Sequence, residues 1–118
     1  MPQKYHALFH KVFAFKNLLA AWEKVAMGGK CPGVDGITLQ RFRQRLQPNL
    51  LDIQHRLRYK TYRPRPLREV RFEKPSGGFR CIMVPTIRDR VVTTALLRVL
   101  DEVFAPDLHP ASFGFVQG

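Results

Sequence analysis

Lys74 and Arg80 stand on either side of Pro75-Ser76-Gly77-Gly78. A lysine offers a compact point charge and an arginine a rigid donor fork, the two usual ways of holding phosphate oxygens. Two adjacent glycines let the backbone approach a ligand closely. The chemistry this spacing suggests is a clamp on an anion. The competing account is a solvated edge hairpin whose charges keep it from pairing with other strands. The segment is not the phosphate loop of nucleotide hydrolases, because Gly-Lys-Ser/Thr and a following helix are missing.

Other residues capable of chemistry do not assemble into a set. Asp35 lies in the glycine-rich stretch GGKCPGVDG (28–36), where an aspartate most often bonds its own turn. His6, His10, His55 and His109 are scattered. His6 and His10 have the i,i+4 spacing of metal ligands but lack the intervening Glu and a third ligand, so they read as surface residues. No Ser or Cys sits in a nucleophile motif. Asp35, Asp52, Asp89, Asp101 and Asp107 are isolated, so no carboxylate pair is poised to hold two metal ions. Cys31 and Cys81 are fifty residues apart, without zinc-site spacing, and read as reduced and structural. The residues describe a binder and not a complete catalyst.

Charge says what would be bound. Twenty Lys and Arg against nine Asp and Glu leave a net charge of +11 on 118 residues, a field that attracts polyanions, nucleic acid first among them. The excess is uneven, with eleven basic and three acidic residues between Arg56 and Arg90. A hydrophobic content of 45% with nine Phe places the chain among folding sequences and excludes disorder. The length suits one domain or a piece of one. No signal-peptide layout and no apolar run of about 20 residues is present, so the expected location is the cytoplasm or the nucleoid, with no membrane partner.

The elements that must position these residues follow from periodicity. Phe9, Val12, Phe13, Leu18, Leu19, Trp22 and Val25 predict one helix over 8–27, stopped by Gly28-Gly29. Thr38 caps a second helix carrying Leu39, Phe42 and Leu46, and Pro48 suits the first turn of a third, with Leu50, Leu51, Ile53 and Leu57. Tyr62-Arg63-Pro64-Arg65-Pro66 is an extended, basic lead-in. Two short strands around 70–73 and 79–84 form a hairpin whose Val70 and Phe72 face the core while Arg71 and Glu73 face water. Thr86 and Asp89 make a capping box for a helix over 87–104 whose apolar face is Val91, Ala95, Leu96, Val99, Leu100 and Val103, ended by Pro106. The expected class is α+β, helices packed on a small antiparallel hairpin sheet.

Three stretches in series, GVDGIT, YRPRPLREVRFEKPSGGFRCIMVPTIRDRVV and SFGFVQG, resemble the amino-terminal part of group II intron-type reverse transcriptases, the bacterial retroelement and maturase family. The resemblance runs from about Leu18 to Gly118. It implies the fingers and the start of the palm of a right-hand RNA-directed DNA polymerase, a nucleotidyltransferase. On that reading Lys74 and Arg80 bind the triphosphate of the incoming deoxynucleoside triphosphate (dNTP). Arg63, Arg65, Arg68, Arg88 and Arg90 lie along template RNA, and Gly33, Val34, Asp35 and Gly36 belong to an extension loop over the template or primer.

The resemblance divides the chain into an amino-terminal helix and loop (1–37), a helical segment with basic lead-in (38–66), the fingers hairpin (67–85), and a helix with the start of the palm (86–118). Its partners would be RNA template, RNA–DNA duplex, intron RNA and dNTP. The palm carboxylates that bind metal come later in the family, so the chain alone is expected to hold no cofactor and to lack polymerase activity, with Mg2+ needed only by a complete enzyme. Glu73 stands where the family has Pro before the clamp lysine, and Val116 where it has Arg, which weakens the assignment at those points. The alternatives are an RNA-binding maturase remnant without synthesis and a fragment that self-associates through the apolar surface of 91–115.

Overall fold

The computed structural model describes residues 8–104. Within them the chain is α+β: helices packed around one core, with a two-stranded antiparallel hairpin. The helices are α1 (8–12), α2 (Phe15–Ala26), α3 (Leu39–Gln44), α4 (Leu46–Arg58) and α5 (Ile87–Phe104), and the strands are β1 (Arg68–Glu73) and β2 (Phe79–Val84).

The single helix expected over 8–27 is two. Ala14 turns extended (φ −58°, ψ 135°) although neither Gly nor Pro is present to force it. The break leaves carbonyls without helical partners, and two amide side chains satisfy them, one from the start of α2 and one from α4. Asn17 Nδ2 donates to Val12 O (3.0 Å) and to Ala95 O on α5 (3.1 Å), and Gln54 Nε2 on α4 donates to Phe13 O (3.0 Å). Turning at this point buries both Val12 and Phe13.

The core is built from matching helical stripes: Leu18, Ala21, Trp22 and Val25 on α2, Leu50, Ile53 and Leu57 on α4, and Ile87, Val91, Ala95 and Val99 on α5. Phe42 on α3 stacks on Trp22 with ring centroids 4.9 Å apart, joining the short helix to the bundle. Burying such side chains stabilises by about 1.5–3 kcal/mol each, before conformational entropy is subtracted. The expected caps are present. Thr38 Oγ1 accepts from Arg41 N (3.1 Å), and Thr86 Oγ1 accepts from Asp89 N (3.0 Å). Pro48 occupies the first turn of α4.

The hairpin departs from expectation. Its register pairs Arg68 with Val84, Val70 with Ile82 and Phe72 with Arg80, placing these six on one face. Only Val84 is buried and Val70 half-buried, while Phe72 is 48% exposed. The face meets the core at its base and leaves it toward the tip, because six-residue strands reach past the bundle. The hairpin is an arm, and Phe79, Cys81 and Met83 are exposed on its other face. On α5, Leu96 and Leu100 also lie exposed instead of joining the core stripe. Pro106, His6, His109 and the SFGFVQG stretch lie outside the described residues.

Candidate functional site

The tip of the arm is closed by Lys74 N donating to Gly78 O (3.0 Å) and Gly77 N donating to Lys74 O (3.0 Å). Gly77 and Gly78 take φ of +97° and +79°, a region that other L-residues enter at a cost of about 1–2 kcal/mol. That geometry requires the glycines and projects Lys74 and Arg80 into solvent, both exposed and without an ion pair or side-chain hydrogen bond among the described residues. Arg71 on the opposite face sits 3.6 Å from Glu69, an exposed pair of small net value. Hydrogen bonding to Glu69 raises the titration of the exposed Cys81 thiol, the reverse of what an activated nucleophile needs.

The basic lead-in is held from below by Asp89. This buried carboxylate on the first turn of α5 accepts from Tyr62 Oη and from Arg65 N (2.9 Å). Burial first, and then the Asp89 hydrogen bond, push the Tyr62 hydroxyl well above its ordinary value. With its backbone fixed, the segment presents the side chains of Arg63 and Arg65 to solvent, also without charged partners among the described residues.

The other three arginines expected along nucleic acid are engaged by the protein's own groups, Arg88 and Arg90 half-buried and Arg68 at the surface. Arg88 forms an ion pair with Asp52 on α4, which also pairs with Arg56 (3.0 Å). Burial lowers the Arg88 titration, against the opposing pull of Asp89 and Asp35. Arg90 donates through Nε to Pro85 O (3.2 Å), through Nη1 to Gly29 O (2.8 Å) and through Nη2 to Cys31 O. Arg68 Nη1 donates to Pro32 O (3.1 Å) and lies 3.9 Å from Cys31 Sγ. In the sequence all five arginines look equivalent. Charge density marks basic residues, whereas which of them face backbone carbonyls is decided by the path of the 28–36 loop.

That loop is packed, not open. Asp35 Oδ1 accepts from Ile37 N (3.0 Å), the local turn bond expected of it, and Gly36 has φ +71°. Gly33 is buried, and a Cβ there would lie 2.6 Å from the backbone of Thr86. Val34 is exposed beside it. A shallow pocket of about 280 Å³ adjoins the loop, lined by Val25, Gly28, Gly29, Pro85, Arg90, Thr93 and Thr94, but its one charged group is the already committed Arg90. Among the described residues no group of three or more His, Cys, Asp or Glu could hold a metal ion, and no helix is long and apolar enough to cross a membrane.

Fold and site together define a small α+β domain bearing a basic hairpin arm. The chain is similar to Protein YkfC of Escherichia coli (strain K12), 34% identical over 88 residues, which cover 75% of this chain and 23% of that protein. The chain therefore spans less than a quarter of that relative's length. No family model matches. These findings correct the reverse-transcriptase reading. The relative's name states neither a polymerase nor a maturase, and no family of either kind is matched, so the assignments to group II intron fingers, to RNA-directed DNA synthesis and to a maturase remnant are withdrawn. Local physics accounts for two of the three motifs that suggested them. GVDGIT is a turn closed by Asp35 and docked through Gly33, and PSGG is a hairpin turn needing two positive φ angles.

Proposed function

We propose that this domain binds the phosphate backbone of a nucleic acid, with Lys74 and Arg80 on the arm and Arg63 and Arg65 in the lead-in as its contacts. The observation that carries this reading is that these four exposed cations, without anionic partners among the described residues, stand on backbone that the fold pins at the tip glycines and at Asp89. A cation left unpaired at a surface keeps its full attraction for a polyanion, and such contacts supply most sequence-independent affinity. RNA and RNA–DNA duplex are the partners to try. A deoxynucleoside triphosphate at matched ionic strength serves as a competitor.

The test is binding of a labelled RNA oligonucleotide by the purified chain across a salt series. Affinity should fall steeply with salt, and Lys74→Ala or Arg80→Ala should each flatten the logarithmic slope by roughly 1. Absence of binding at low salt would sink the reading.

A further inference from the structure

We infer that Arg68 and Arg90 are positioning residues that set the angle at which the hairpin arm leaves the helical body. The two strands have little other hold on the rest of the molecule, since Val84 alone is buried and Val70 half-buried. What grips the arm is the 28–36 loop, which reaches the base of both strands. At the start of β1, Arg68 donates to Pro32 O. Just past the end of β2, the Gly33 backbone lies directly against Pro85 and Thr86, so closely that no Cβ fits. Arg90, on the first turn of α5, gathers the carbonyls of Pro85, Gly29 and Cys31 with its three guanidinium nitrogens. Any swing of the arm about residues 84–86 breaks this set, and the Arg90 guanidinium, with all three nitrogens donating to protein carbonyls, has no fork left for a phosphate. The arm and the glycine loop are one unit, locked by two arginines through backbone carbonyls of the loop.

The consequence for binding rests on the phosphate-backbone reading, but the lock itself is measurable without any ligand. Spin labels on the native, exposed Cys81 and on an introduced Gln47→Cys of α4, in a Cys31→Ser background, report the distance from arm to body. A narrow distribution is expected in the parent, and Arg90→Ala or Arg68→Ala should broaden it while helical circular dichroism is kept. Arg68 is exposed, so its loss keeps the test valid even if Arg90→Ala unfolds the chain. An unchanged distribution in Arg68→Ala and Arg90→Ala overturns the inference. In the RNA salt series both variants should lose affinity several-fold with the slope unchanged, because no phosphate contact is removed; a slope flattened by roughly 1 identifies a direct contact and also overturns it. If the parent binds no RNA, the proposed function fails and the spin-label distances alone decide the lock.

Discussion

At Gly33 and Tyr62, single residues carry constraints that neighbouring chemistry makes strict. Gly33→Ala forces a Cβ onto the Thr86 backbone at 2.6 Å, and backbone yields less readily than a side chain tip. Overpacking of this kind typically costs about 1–3 kcal/mol, and a urea melt should show it together with faster hydrogen exchange across 28–36. Tyr62→Phe removes the donor to the buried Asp89 carboxylate, a bond of the charged class worth about 1.5–3 kcal/mol. The pH dependence has a definite sign. The Tyr62 titration is raised in the folded state above its ordinary 10.0, so the folded protein holds this proton more tightly. Its stabilisation is complete below about pH 10 and is lost as pH climbs through the folded value. Unfolding free energies measured at pH 9 to 11, roughly spanning that onset, should fall more for the parent than for Tyr62→Phe; parallel curves would exclude the linkage. Both residues were poorly marked in the sequence. Asp35 announced its own turn, but a buried glycine with no positive φ and a tyrosine among prolines give no local signal.

Elements differ in how much they depend on the rest of the chain. The helix caps are local, and Thr38→Ala should cost about 1 kcal/mol in thermal or chemical melts through loss of its bond from Arg41 N. The arm's tip is local too. Gly77→Ala and Gly78→Ala meet no atom within 4 Å, so the penalty is purely conformational, about 1–2 kcal/mol each. Because the arm is so little buried, that penalty should appear as faster exchange across 68–84 while the melting of the helical body stays put. A matching loss in the body's own stability would show that the arm belongs to the cooperative core. The break at Ala14 is the opposite case: its carbonyls are satisfied by Asn17 and by Gln54 from a different helix, and nothing in 8–27 foretells the Gln54 bond.

The described residues form a helical body with a basic arm, and the basic residues around the arm play two parts. Arg68, Arg88 and Arg90 bond to other parts of the protein, while Arg63, Arg65, Lys74 and Arg80 have no anionic partner among the described residues. Arg88→Ala should therefore lower the melting temperature by removing one of the two cations paired with Asp52 among the described residues, yet leave the salt slope of RNA binding unaltered. Composition and periodicity by themselves determined the α+β class, the caps, the hairpin, the Asp35 turn and the basic character of 56–90, because each follows from backbone preference, apolar spacing or a sum of charges. Only the tertiary structure decided which arginines are spent internally, where the first helix breaks, and how far the arm stands clear of the core. These depend on contacts between residues some thirty to eighty positions apart, and a side chain's partners across that distance are fixed by packing and not by its neighbours in sequence.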